Sequence, residues 1–158
     1  MTDDIIEINI TDPSKYSDEK KKMLAHETYR PGDPELCRDR THARQLMRKI
    51  NEEVKYEDRK VRYDFTHRLL PNAKKGLGLQ PPFFCDYGYN IYCGEDVFFN
   101  FNCTLLDCGK ITIGDRTMFG PNVQIYHSLL TRPRIGNCAY LNSNSIFIEK
   151  KVDSKMIY

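Results

Sequence analysis

An apolar side chain recurs every six residues over much of the second half of this chain. The positions are Cys93, Phe99 and Leu105, then Ile113, Phe119 and Ile125, and after a break Ile135, Leu141 and Phe147. A six-residue period matches neither the turn of an α-helix, at about 3.6 residues, nor the alternation of a half-buried strand. Fixed repetition of this kind predicts a solenoid in which each hexad contributes one short strand and points its first residue inward.

Small or polar residues follow five of these positions, at Gly94, Asn100, Gly114, Gly120 and Gly136. Glycine suits the corner of such a coil because it can turn without a Cβ clash. Ordinary antiparallel strands are the alternative, but the apolar–polar alternation that they require is confined to short stretches such as 111–113. We therefore predict a mainly β protein built as a parallel β-helix. Its core holds the hexad residues, and its surface holds Glu95, Asp96, Asp115 and Arg116.

The composition is that of an ordinary globular protein of 158 residues, with 40% hydrophobic and 29% charged residues. A net charge of +2 predicts no polyanion-binding surface. The longest basic cluster, Lys20 to Lys22, is expected to be a solvated helix face. The first residues lack the basic and apolar regions of a secretory signal, so we expect a cytoplasmic protein. The six cysteines include no Cys-x-x-Cys pair, and no metal site is predicted.

Residues 1–75 show helical rather than six-residue spacing, and residues 76–158 form the predicted β-helix domain. Asp33, Pro34 and Glu35 supply an N-cap, a first-turn proline and a first-turn acid for one helix. Other helices are predicted over 18–25 and 56–70, with a linker over 71–79. Helices placed here would cover the open end of the solenoid and its unpaired strand edges.

Five stretches in order resemble the maltose and galactoside O-acetyltransferases. They are 19–25 (EKKKMLA), 29–36 (YRPGDPEL), 81–90 (PPFFCDYGYN), 100–107 (NFNCTLLD) and 113–126 (IGDRTMFGPNVQIY). The resemblance implies a left-handed parallel β-helix of hexapeptide repeats that forms a homotrimer with active sites between subunits. It also implies acetyl transfer from acetyl-CoA to a sugar hydroxyl, with a histidine as general base and no metal.

Residue by residue, the resemblance implies that Asp86, Asn100 and Asp107 line the acceptor cleft or support the catalytic histidine. Carboxylate and amide groups suit sugar hydroxyls, although Asn100 and Asp107 also suit tight turns. Tyr140 stands where the family often has a tryptophan, which implies a place on the acetyl-CoA side. Arg30 replaces a family acid that binds the acceptor, and Asp33 is the nearest carboxylate that could substitute.

In the family the catalytic histidine lies in a long excursion after the Ile-Tyr pair, and the six residues between Tyr126 and Pro133 are too few to hold this excursion. His127 is the one candidate base, but it follows Tyr126 directly, earlier than the family's histidine, and the alternative is a surface residue beside a turn. The last coils, which form most of the acetyl-CoA groove in the family, are also expected to be missing. Two functions therefore stay open: a sugar O-acetyltransferase acting on maltose, glucose or a galactoside, or a catalytically inactive truncated relative that serves as a structural or interaction subunit.

Overall fold

Three parallel sheets surround one apolar core in the second half of the chain. The computed structural model describes residues 5–127 and 134–141, together with the backbone of residues 146–147. Within these ranges the strands β1 to β11 are Gly78–Leu79, Phe83–Cys85, Ile91–Cys93, Phe98–Phe99, Cys103–Leu106, Ile111–Ile113, Met118–Phe119, Gln124–Tyr126, Arg134–Ile135, Tyr140–Leu141 and Ile146–Phe147. The sheets have the strand orders β1-β4-β7-β10, β2-β5-β8-β11 and β3-β6-β9. The predicted mainly β class and parallel β-helix are confirmed.

Successive coils stack in register every 20 residues, because Gly78 pairs with Phe98 and Phe98 pairs with Met118. This register places the hexad residues in one core, and Phe99, Leu105, Ile113, Phe119 and Ile125 are all buried as predicted. The step from Met118 to its partner Tyr140 is 22 residues. This step is two residues longer than the 20-residue steps of the preceding coils.

The corners work differently from the prediction that glycine makes the turn. Positive φ angles fall on the non-glycine residues Asp96, Asn102, Arg116, Asn122 and Cys138, with φ between 53° and 59°. Gly94, two residues before Asp96, is required for another reason: a Cβ there would collide with Asp115 of the next coil. Glycine at this corner therefore permits close stacking of coils rather than a left-handed backbone.

Three α-helices precede the β-helix, as the sequence predicts. Helix α1 spans Asp18–Ala25, α2 spans Pro34–Arg48 and continues as a π-helical segment Lys49–Glu53, and α3 spans Arg59–Leu69. The Asp33 side chain accepts hydrogen bonds from the backbone N–H groups of Glu35 and Leu36, which confirms the predicted cap. Helix α3 begins later than predicted because residues 54–58 turn, with Asp58 N–H bonded to the Lys55 carbonyl. None of the helices in the described part of the chain is long and apolar enough to cross a membrane.

The helices close the open end of the solenoid. Ala43, Leu46 and Ile50 of the α2 region share one apolar cluster with the β-helix core. The Asn51 side chain accepts a hydrogen bond from Phe83 N–H at 2.9 Å and donates one to the Phe83 carbonyl at 2.9 Å. It thereby satisfies the backbone groups of β2 that would otherwise be unpaired at the edge of its sheet.

Lys20 contradicts the expectation that residues 20–22 form a solvated face. Its side chain is 0% exposed and its Nζ lies 2.7 Å from Asp39 and 3.1 Å from Glu35. Nζ also donates to the Asn9 carbonyl and lies 4.2 Å from the centroid of the Tyr16 ring. Two carboxylates of α2 and one carbonyl of the N-terminal segment compensate the buried ammonium. The sequence around Lys20 does not indicate these partners, because they lie elsewhere in the chain.

Candidate functional site

One corner of the β-helix brings together three of the predicted site residues. Strands β2, β5 and β8 stack in one sheet, with Cys85 opposite Leu105 and Leu106 opposite Tyr126. The residues after these strands therefore meet in successive coils, so that Asp107 follows β5 where His127 follows β8. Asp86 lies at the same corner, directly after β2. We call the group of Asp86, Asp107 and His127 the corner site.

Asp107 organises the loop 86–90 of the neighbouring coil. Its Oδ1 accepts hydrogen bonds from the N–H groups of Asp86 and Tyr87, both at 2.9 Å. Its Oδ2 accepts from Gly88 N–H at 2.7 Å and from Asn90 N–H at 3.3 Å. Four backbone donors thus converge on a single carboxylate.

The Asp107 side chain is also fully buried, with 0% exposure. Burial raises the pKa of Asp107 to about 7, the N–H donors lower it, and the charge of Asp86 raises it further. An acceptor bound by Asp107 would need an accessible carboxylate, so the suggestion that this residue lines the cleft does not fit the structure. Its position fits the other implied role, which is support of the site.

Asp86 is half-buried and belongs to a small polar cluster with Cys108 and Tyr29. The Cys108 thiol donates to Asp86 Oδ2 at 3.4 Å. Burial, followed by the charge of Asp86, raises the pKa of the Cys108 thiol to about 11. Burial likewise raises the pKa of Tyr29, and its interaction with Cys108 raises this pKa further. These groups are therefore neutral hydrogen-bonding partners around an acidic side chain at neutral pH, a surface suited to polar hydroxyl groups.

His127 packs inward rather than facing solvent, with 7% exposure. Its backbone N–H donates to the Leu106 carbonyl at 3.0 Å. Its ring lies against Gly109, where any Cβ would meet the imidazole, and stacks on the His26 ring with centroids 4.9 Å apart. The alternative of an exposed surface histidine is therefore wrong. Gly109 has a packing role that the sequence does not reveal.

A cavity of about 270 Å³ opens beside this histidine pair. The described residues that line it are His26, Lys110, Thr112 and Arg134. The Lys110 ammonium lies 4.1 Å from the centroid of the Tyr92 ring. Two cationic side chains and a hydroxyl give this cavity a chemistry that favours anionic groups.

Asn100 and Tyr140 lie away from the corner site within this chain. Asn100 follows β4 at a different corner, where its Oδ1 accepts from Phe101 N–H at 2.8 Å. This contact matches the turn role that was left open for Asn100. Tyr140 lies on β10 and is 65% exposed. It pairs with Met118 of β7, and this sheet is not the one that carries the corner site. Among the described residues no cluster of His, Cys, Asp and Glu is arranged to hold a metal ion.

The two acceptor-side candidates of the helical cap, Arg30 and Asp33, make their contacts within the cap. The Arg30 side chain is 84% exposed and lies 3.6 Å from Glu19, whereas Asp33 Oδ1 caps α2 and accepts from the Ser17 hydroxyl at 2.9 Å. The Asp33 carboxylate therefore serves as the N-cap of α2. Asp39, missed in the sequence, reaches the loop of the corner site because Tyr89 OH donates to it at 2.9 Å.

Comparison with known proteins identifies the cap first. Residues 22–74 match the model of the maltose acetyltransferase hexapeptide capping motif. Nodulation protein L of Rhizobium meliloti is 41% identical over 68% of this chain and 58% of its own length. The galactoside O-acetyltransferase of Lactococcus lactis is 30% identical over 66% of this chain and 51% of its own length. The chain thus spans little more than half the length of these curated relatives.

Solved structures agree on the fold. A maltose O-acetyltransferase from Clostridium difficile 630 superposes with a TM-score of 0.71 at 29% identity, over 84% of this chain and 87% of its own. A hexapeptide-repeat acetyltransferase from Vibrio cholerae, crystallised with acetyl-CoA, superposes with a TM-score of 0.62 at 29% identity, over 82% and 80% of the two chains. The fold is the left-handed parallel β-helix with N-terminal helices. These findings confirm the resemblance predicted from the sequence: this chain is a hexapeptide-repeat relative of the maltose and galactoside O-acetyltransferases.

Proposed function

We propose that this chain is a sugar O-acetyltransferase that uses acetyl-CoA and holds its acceptor at the corner site. The observation that carries the proposal is the loop 86–90, which the buried Asp107 fixes through four N–H donors so that the half-buried Asp86 carboxylate is presented beside Cys108 and Tyr29. Preorganised polar groups of this kind can hold sugar hydroxyls without a cost of reorganisation. Maltose, glucose and galactosides are the acceptors to test.

His127 is the base that we assign to the reaction. The acceptor hydroxyl oxygen attacks the thioester carbonyl carbon of acetyl-CoA while the imidazole takes its proton. The tetrahedral adduct then collapses, the C–S bond breaks, and the proton passes from the imidazolium to the departing CoA thiolate. The anion-favouring cavity lined by Lys110 and Arg134 suits the phosphates of CoA. Because His127 is only 7% exposed, an acceptor reaches it only after neighbouring groups move, and we expect slow turnover.

Replacement of His127 by alanine tests the assignment. We expect His127→Ala to lower the rate of CoA release by about 10²- to 10⁴-fold, which is the usual contribution of a general base. His42→Ala is the matched control, since His42 lies on α2, outside the corner site, and should leave the rate unchanged. An equal rate in wild type and His127→Ala would remove His127 from the mechanism.

A second candidate function is favoured by the packing of His127 against Gly109 and His26. In this case the chain is an inactive relative that serves as a structural or interaction subunit. Wild-type protein that folds but releases no CoA with any of the three acceptors would support this function over acetyl transfer.

Self-association is part of both candidates, and we propose a homotrimer. The outward positions of β4, β7 and β10 form an apolar row, in which Met118 pairs with Phe98 on one side and with Tyr140 on the other. Met118 is 49% exposed and Tyr140 is 65% exposed. Burial of such a row in an interface would remove apolar surface from water. Sedimentation velocity at micromolar concentration should give a species of three chains, and a stable monomer would contradict the proposal.

A further inference from the structure

A second cavity lies between helix α3 and the first coil of the β-helix, away from the corner site. It has a volume of about 330 Å³, and its lining includes Tyr56, Arg59, Arg62, Tyr63, Gln80 and Phe98. We call it the α3–β1 cavity. Nothing in the proposed acetyl transfer uses it.

Arg62 is the unusual member of this lining, because it is a cation with only 8% exposure. One nitrogen of its guanidinium donates to the Lys55 carbonyl at 2.8 Å, and the group lies 5.3 Å from the centroid of the Tyr56 ring. Its buried Nε has no hydrogen-bond partner among the residues that the structure describes. In the same ranges Arg62 forms no ion pair with a carboxylate. A buried charge without a counter-charge is costly, so the site is incomplete as the chain alone builds it.

The rest of the lining favours an anion that carries a flat body. Arg59 adds a second positive charge, and none of the described residues that line the cavity is an Asp or a Glu. Tyr56 and Tyr63 are 65% and 44% exposed and supply aromatic surface for stacking. The buried Gln80 Oε1 also has no partner among the described residues, so this side chain remains available for a polar group of a ligand.

We propose that the α3–β1 cavity binds a small aromatic carboxylate. The planar guanidinium of Arg62 matches a carboxylate, and this pairing would satisfy the Nε–H donor and neutralise the buried charge. The aromatic ring of the ligand packs against the exposed tyrosines. The inference does not depend on the acetyl-transfer function, because none of the residues involved belongs to the corner site.

Isothermal titration of the full chain with benzoate tests the proposal. Acetate, which has the charge without the ring, and benzyl alcohol, which has the ring without the charge, are the comparison probes at the same ionic strength. We expect saturable binding of benzoate and binding at least about tenfold weaker for both comparison probes, since a charge-assisted hydrogen bond or a stacked ring is worth on the order of a factor of ten.

Arg62→Met is the decisive variant. It should weaken benzoate binding by about tenfold or more, while thermal unfolding without ligand stays the same or shifts upward because an uncompensated buried charge is removed. Arg38→Met is the matched control, since Arg38 is exposed on α2 and does not line the cavity, and it should bind benzoate like wild type.

If Arg62→Met fails to fold, Tyr63→Leu provides a second comparison, because Tyr63 lines the same cavity and the substitution removes aromatic surface, with an expected loss of several-fold in benzoate affinity. Absence of benzoate binding by the wild type would overturn the proposal. So would equal affinities for the wild type and the cavity variant. Both outcomes would leave the acetyl-transfer proposal untouched.

Discussion

Lys20→Met is the perturbation that most sharply tests how the helical cap is held. The substitution keeps the length of the side chain and its packing beside Tyr16, but it removes the ammonium that neutralises Asp39 and Glu35. Asp39 is 1% exposed and, within the described ranges, would keep only the Tyr89 hydroxyl as a polar partner. Removing one partner of a buried ion pair costs about 3–5 kcal/mol. That is a large part of the total stability of about 5–15 kcal/mol typical of a domain.

Equilibrium unfolding in urea at pH 7 measures this cost. Lys21→Met is the matched control on the next residue of α1, where the side chain is 49% exposed and its pair with Asp18 is 4.0 Å long. We expect the control to change the free energy of unfolding by less than about 0.5 kcal/mol, as exposed pairs do.

The double variant Lys20→Met with Asp39→Leu separates lost attraction from an uncompensated charge. If the single substitution is costly because Asp39 is left buried and unpaired, removal of both charges should recover most of the lost stability. Two results would refute the reasoning: a Lys20→Met loss no larger than that of the control, or a double variant as unstable as the sum of its parts.

Two further substitutions test the core and the corner site. Ile113→Asp should lower the free energy of unfolding by several kcal/mol, because it buries a carboxylate without a partner. The control Ile113→Val should lower it by about 0.5–1.5 kcal/mol. Similar urea midpoints for the two variants would contradict the six-residue register. Burial raises the pKa of Asp107 from 3.8 to about 7, so its folded state holds a proton more tightly than its unfolded state. The resulting contribution to stability is complete below about pH 4 and lost above about pH 7, and it amounts to on the order of 4 kcal/mol. The stability difference between wild type and Asp107→Asn should therefore fall over that range, and a difference independent of pH would show that Asp107 does not titrate this way.

Local signals in the sequence predict much of the fold. The N-cap at Asp33 and the proline at Pro34 start α2 where expected, because capping depends on neighbours only a few residues away. The six-residue register likewise predicts the buried face of the β-helix. Both signals are repeated or short-range, and neither requires knowledge of distant partners.

The corner site depends on contacts that single positions do not reveal. From the sequence, Asp107 resembles a turn residue. In the fold its carboxylate accepts hydrogen bonds from N–H groups of residues 86–90, which lie about 20 residues earlier in the chain, in the neighbouring coil. Lys20 appears solvated until α2 places Asp39 against it. Glycine is required at position 109 because the ring of His127 in the next coil packs against it. These residues acquire their roles from stacking and docking, which the local pattern leaves undetermined.

Transfer of a labelled acetyl group from acetyl-CoA to a sugar tests the proposed function most directly. The assay incubates the purified chain with radiolabelled acetyl-CoA and maltose, glucose or a galactoside, and separates labelled sugar from labelled cofactor. We expect slow formation of acetylated sugar that requires both substrates and the folded chain, and that decreases when Asp86, the half-buried carboxylate of the corner site, is replaced by alanine. A folded chain that forms no labelled sugar with any of these acceptors, at any enzyme concentration, would contradict the proposal that it is an acetyltransferase.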